Sequence, residues 1–221
     1  MTDQAGKRQA ARAVRGLHRC YPDATCALQY ESPFQLLIAT VLSAQCTDKR
    51  VNLVAKKLFT QYPTAVEMAA VHQKTLEKVI QSTGFFRNKA KNIKALSREL
   101  LDRHDGTVPQ EMEQLVLLPG VGRKTANVVL GTAFGLATGV VVDTHVRRIS
   151  RRLGLTEHRD PVKIERDLMR VLPRKEWIRY SHSMIQHGRQ ICKARKPWCE
   201  ECAFDKFCPR LGVESIAVRG D

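Results

Sequence analysis

Three groups of residues have the types and spacing to do chemistry. The first is Leu117-Leu118-Pro119-Gly120-Val121-Gly122-Arg123-Lys124-Thr125-Ala126-Asn127. Two glycines one residue apart let the backbone turn tightly and approach a ligand, and the amides that follow open a helix whose N-terminal dipole favours a phosphate. The residues before them, 111–118, read as a short helix, so the unit is a helix-hairpin-helix. The flanking Arg123 and Lys124 favour phosphate binding over an ordinary helix–helix turn. Lys124 reads either as a phosphate contact or as a nucleophile. A nucleophilic amine must be neutral, and lowering a reference pKa of about 10.4 to pH 7 costs roughly 4.6 kcal/mol. Phosphates nearby oppose that, so a pocket must exclude water, add cations such as Arg123 or supply a proton acceptor.

The second group is Gly139-Val140-Val141-Val142-Asp143-Thr144-His145. Asp143 ends an apolar segment and starts a helix carrying Arg147, Arg148, Arg151 and Arg152. It reads as an N-cap, and also as a carboxylate that accepts a proton or steadies developing cationic character; the two roles are compatible. His145, in the first turn, reads as structural.

The third group is Cys192-x6-Cys199-x2-Cys202-x5-Cys208. Four thiols this close can wrap one metal centre. Zinc and an iron-sulfur cluster both take four thiolates, and with a single Cys-x2-Cys knuckle the spacing leaves the choice open. Lys193, Arg195 and Lys196 lie between the first two thiols, where ligands at both ends would hold them in place; this suits phosphate binding better than a solvated charge run. Cys20, Cys26 and Cys46 stand apart and read as small buried hydrophobes or bystanders.

The elements that must position these groups are helical. Ser32-Pro33-Phe34-Gln35 combines an N-cap serine, a proline at the first helical position and a glutamine that can reach back, before the apolar run to Leu42. Thr64-Ala65-Val66-Glu67 is a capping box, and Asp160-Pro161 opens a segment with Ile164, Leu168 and Val171 on one face. Over 88–104, Ala90, Ile93, Leu96 and Leu100 fall at helical spacing with Lys and Arg outward. Only Val140 to Val142 is strand-like, so the fold is expected to be all-α. The 37 Lys and Arg against 22 Asp and Glu leave +15 on 221 residues, which points to a polyanionic partner. No run is long and apolar enough to span a bilayer, and the start lacks the apolar core of a signal peptide, so no membrane partner is expected. Seven cysteines in an intracellular chain argue against a disulfide framework.

Leu118 to Ala126, Val142-Asp143-Thr144-His145, His187-Gly188-Arg189 and the x6-x2-x5 cysteine array occur in that order, with Leu42-Ser43-Ala44-Gln45-Cys46-Thr47-Asp48 before them. Together they resemble the signatures of the endonuclease III family, and the resemblance covers nearly the whole chain. It implies a two-domain helix-hairpin-helix DNA glycosylase fold: a central six-helix domain over 27–137 and an iron-sulfur cluster domain built from 1–26 and 138–221, with DNA across the groove between. It implies Lys124 as nucleophile, Asp143 as catalytic carboxylate, and Cys192, Cys199, Cys202 and Cys208 as ligands of a [4Fe-4S] cluster that shapes the basic loop.

DNA contacts are expected from Gly120, Val121, Gly122 and Thr125 at the hairpin and from Lys193, Arg195 and Lys196. Gln45 would fill the space left by an extruded nucleotide, with Phe85 as partner wedge where the family often has leucine. The implied activity is removal of oxidised or ring-saturated pyrimidines from double-stranded DNA with abasic-site lyase action, since adenine-specific relatives lack the lysine. The expected setting is a monomer in the cytoplasm of a bacterium or archaeon.

Overall fold

The computed structural model describes residues 3–213. Its elements are α1 (Asp3–Cys20), α2 (Pro33–Leu42), α3 (Asp48–Gln61), α4 (Ala65–Ala70), α5 (Gln73–Ile80), a 3-10 turn (Gln81–Thr83), α6 (Phe86–His104), α7 (Met112–Leu115), α8 (Arg123–Phe134), α9 (Thr144–Arg152), α10 (Pro161–Val171), a second 3-10 turn (Arg174–Glu176) and α11 (Trp177–Gln190). Among the described residues there is no strand, so the fold is all-α as expected. Two compact units form, one from residues 26–138 and one from 3–25 with 139–213. Residues 1–2 and 214–221, the ends of the expected cluster domain, lie outside the described residues.

In the 26–138 unit, α2 is the central rod. Ser32 Oγ accepts from the Gln35 amide, and Gln35 reaches back to the amide of Glu31 rather than to that of Ser32. Every residue from Phe34 to Leu42 is buried, as befits a helix apolar on all sides. It packs on α8, α3 and α6, and α4 and α5 pack on α6. The Thr64–Glu67 capping box that starts α4 is formed. Ala90, Ile93, Leu96 and Leu100 of α6 are fully buried. Lys89 departs from the expected outward set of α6 cations: it is only 5% exposed. The expected helix over 111–118 shrinks to the single turn α7, because the residue before Pro119 is disfavoured in helical geometry and the chain must turn there.

In the other unit, α1 packs on α10 and α11, and α9 on α11. Val140, Val141 and Val142 are buried, but they pack as an extended segment and not as a strand. Val141 N–H donates to Ser181 Oγ at 3.0 Å, so a side chain does what a sheet partner would do. Cys20 is exposed, a bystander rather than a buried hydrophobe, whereas Cys26 and Cys46 are half-buried.

Candidate functional site

The hairpin is anchored from below. Leu118 and Val121 sit in the core of their unit, and the Val121 amide closes on the Leu118 carbonyl at 3.0 Å. Between them Gly120 takes φ +78, and a Cβ there would lie 2.8 Å from Asn92 Nδ2 of α6. Both conformation and packing therefore demand glycine at 120. Gly122 differs: it is the N-cap of α8 with φ −95 and ψ 172 and offers no side-chain cap, and a Cβ would meet nothing within 4 Å. Its bareness serves neither packing nor backbone; it leaves the first turn of α8 without the oxygen that most N-caps supply. Lys124 and Arg123 are exposed and Thr125 is half-buried. The water exclusion that a neutral amine requires is thus not provided around Lys124 by this chain alone.

Asp143 is the N-cap of α9, and its Oδ1 accepts from the amides of His145 and Val146, both at 2.8 Å. The cap occupies one carboxylate oxygen only. Burial holds the His145 pKa below its ordinary value against the pull of Asp143, and its Nδ1 lies 3.2 Å from Arg148 Nη2. Gly188 of α11 lets the two helices meet there, since a Cβ on it would fall 2.5 Å from His145 Nδ1. The structural reading of His145 matches this packing.

Cys192, Cys199, Cys202 and Cys208 line one pocket, otherwise walled mainly by apolar groups such as Ile149, Ile191, Trp198 and Phe204. Among the described residues no three His, Cys, Asp or Glu side chains close on a point that could hold a single ion. N–H groups aim at the sulfurs. Arg152 Nη1 donates to Cys192 Sγ at 3.2 Å, and the amides of Phe204 and Arg210 donate to Cys202 and Cys208 at 3.4 Å. Such donors stabilise thiolates bound to metal. Burial otherwise favours the neutral thiols: it pushes Cys202 up to about 12 and raises Cys208 as well. Loading a metal must therefore drive protons off. His187, 3.4 Å from Cys202 Sγ and 3.0 Å from Tyr21 Oη, is pressed to about 4 by burial and then by Arg148.

The basic loop is held by α9. Arg152 donates to the carbonyls of Lys193 and Ala194 at 2.7 Å, and Arg148 donates to those of Cys192 and Gly188 at 2.8 and 3.0 Å. With its backbone so pinned, the loop keeps Lys193, Arg195 and Lys196 exposed, and Lys193 Nζ stacks 3.8 Å from the Trp198 ring centroid. In the sequence Arg148 and Arg152 stand out only as charges. Their i, i+4 spacing, which puts both on one face of α9, was the available signal.

Gln45 and Phe85 are both exposed and both left-handed, with φ 53 and 48. For a bulky residue such as Phe85 this conformation is an outlier that surrounding structure must hold.

A family model for the HhH-GPD superfamily base excision DNA repair proteins matches residues 38–174. The chain is 54% identical to the endonuclease III of Synechocystis sp. over 92% of its own length and 93% of the relative's. A solved non-covalent endonuclease III–DNA complex superposes with a TM-score of 0.88 at 45% identity, covering 95% of this chain and 96% of that one. A trapped endonuclease III–DNA covalent intermediate gives 0.88 at 44% identity over 95% and 97%. A bare-capped hairpin helix bearing a lysine, an aspartate-capped arginine helix and a four-thiol pocket thus sit in a chain that, by these matches, belongs to the endonuclease III family of the HhH-GPD superfamily.

Proposed function

We propose that this protein is a base-excision-repair glycosylase that removes oxidised or ring-saturated pyrimidines from duplex DNA and cleaves the abasic site through Lys124. The observation that carries the reading is Lys124 in the first turn of α8, behind a hairpin whose N-cap Gly122 leaves that turn open to a phosphate. The solved relative bonded covalently to DNA supports it. Because Lys124 is exposed, the bound duplex itself has to shed water from the amine, and Arg123 supplies a neighbouring cation that favours the neutral form.

The amine nitrogen attacks C1′ of the extruded nucleotide and gives up a proton, and the bond to the damaged base breaks with its electron pair leaving on the base. The C1′–O4′ bond then breaks, O4′ taking up a proton as the sugar ring opens, to leave an iminium between Lys124 and C1′. The iminium acidifies the C2′ proton; its loss expels the 3′ phosphate and breaks the strand on that side. Asp143 steadies cationic character on the sugar during base departure, using the carboxylate charge that the helix cap does not consume. Gln45 and Phe85 fill the vacated stack. Lys193, Arg195 and Lys196 and the hairpin residues Gly120, Val121, Gly122 and Thr125 hold the backbone.

Cys192, Cys199, Cys202 and Cys208 hold a [4Fe-4S] cluster in this reading, which rests on the family and on four thiols lining one pocket with N–H donors to sulfur. The cluster fixes the loop in shape. The protein acts as a monomer in the cytoplasm of a bacterium or archaeon; no helix among the described residues is long and apolar enough to cross a membrane.

Borohydride reduction with an abasic duplex tests the chemistry. A covalent adduct forms with the native chain and not with Lys124→Ala; no native adduct, or equal capture by the variant, leaves a DNA-binding protein without lyase chemistry. Iron and sulfide in equal amounts in anaerobically prepared protein is the expected analysis, and one zinc without sulfide refutes the cluster.

A further inference from the structure

Lys89 is the buried cation of the 26–138 unit that the chemistry above does not use. Its ammonium donates to the Leu42 carbonyl at 2.8 Å and to the Thr83 carbonyl at 2.8 Å. Neither partner carries a charge. Burial pulls its pKa down, against the influence of Cys46, and burying the amine carries a desolvation cost that a methionine of similar volume would not incur.

The two carbonyls explain what is obtained in return. Leu42 is the last residue of α2, three positions before Gln45, and Thr83 ends the 3-10 turn, two positions before Phe85. Both are orphan carbonyls at the end of a helical element, whose ladders cannot satisfy them. Immediately beyond, the chain enters strained backbone in both places. Gln45 is left-handed at φ 53; Gly84 takes φ 71 and ψ 158, followed by Phe85 at φ 48. Such residues cost free energy and persist only where neighbouring structure over-determines them. Thr83 is itself fixed, with its hydroxyl donating to the Ile80 carbonyl at 2.8 Å. Phe85, by contrast, is 64% exposed, so its own side chain contributes little to holding the tip.

We propose that Lys89 is a positioning residue that cross-braces the two tips, fixing Gln45 and Phe85 relative to one another so that they enter the duplex as one rigid unit. A capping role alone accounts for one carbonyl at a time; a single ammonium shared between two segments 41 positions apart ties their motions together. The inference rests on the reading of Gln45 and Phe85 as the residues that fill the vacated stack.

The test compares duplex with single-stranded substrate, because an unpaired strand needs no wedge. Lys89→Met keeps the volume and loses both bonds. Its expected effects are a roughly ten- to hundredfold lower rate of base removal from duplex and loss of the fluorescence rise of 2-aminopurine placed opposite the lesion. Borohydride capture of a single-stranded abasic oligonucleotide stays at its native value, the thermal midpoint falls only as far as two uncapped carbonyls require, and Lys89→Arg restores part of the duplex rate. A merely structural lysine would lower both substrates together with the midpoint, and that result overturns the proposal. Should Lys89→Met not fold, Lys89→Gln, whose shorter amide cannot span both carbonyls, is read in the same way. Gln45→Ala and Phe85→Ala separate the two layers of argument. If they slow the duplex reaction and Lys89→Met does not, the brace is wrong and the wedge stands. If they leave the duplex rate unchanged, the wedge reading falls and takes the brace with it.

Discussion

Helices α8 and α9 begin in opposite ways. Each starts after a short non-helical segment and each presents the positive end of a helix dipole. At α9 the chain supplies its own anion, since Asp143 Oδ1 takes two first-turn amides. At α8 the cap is Gly122, with no side chain to offer and room for one. A helix start that carries a carboxylate is satisfied before any ligand arrives. One left bare in a protein of net charge +15 is suited to an anion from outside, which in the proposed function is the backbone of DNA. The same physical feature is thus an internal cap that presents a carboxylate in one unit and, on the proposed reading, a docking point in the other.

The contrast can be broken from either side. The largest effect is expected from Asp143→Asn, which keeps an oxygen for the cap but removes the charge. Stability measured by thermal or denaturant unfolding should change by under about 1 kcal/mol, while single-turnover base removal falls at least about 100-fold. Proportionate losses in both would make Asp143 only a cap. Next comes Gly122→Asp, which gives α8 the anion it lacks. It should gain a few tenths of a kcal/mol in stability and lose roughly 10- to 100-fold in duplex affinity through like-charge repulsion. Unchanged affinity would mean that no phosphate docks at this helix.

A smaller change tests whether the cysteine loop shares that load. Replacing Lys193, Arg195 and Lys196 by glutamine should reduce the slope of log affinity against log salt by up to about 0.9 per lost contact, for all duplex sequences alike. A native slope would remove the loop from the contact surface. The smallest effect is assigned to Gly122→Ser, an uncharged cap that competes for the amides without repelling phosphate. A loss of duplex affinity of only a few-fold is expected, between native and Gly122→Asp, and a serine variant weaker than the aspartate one would contradict the electrostatic account.

Much of this was legible because the signals are local. Capping residues at Ser32, Thr64, Asp143 and Asp160 mark helix starts by bonding amides two or three positions away, and all four do so. The apolar spacing of Ala90, Ile93, Leu96 and Leu100 named the buried face of α6 for the same reason. The run from Val140 to Val142 was ambiguous, since an extended buried segment and a strand share a composition, and only the Ser181 hydroxyl across from it decides.

What the sequence by itself determined was the all-helical chain, the hairpin with its lysine, the carboxylate that starts α9 and the grouping of four thiols, because each depends on neighbours in sequence or on fixed spacing. Only the tertiary structure decided which cations are spent inside. Lys89 turns inward between two loops, and Arg148 and Arg152 grip a segment some 40 positions away. A lysine or arginine reads as solvated wherever it falls in a pattern, and whether its charge meets water or a buried carbonyl is set by which distant backbone ends are left without hydrogen bonds once the helices have packed.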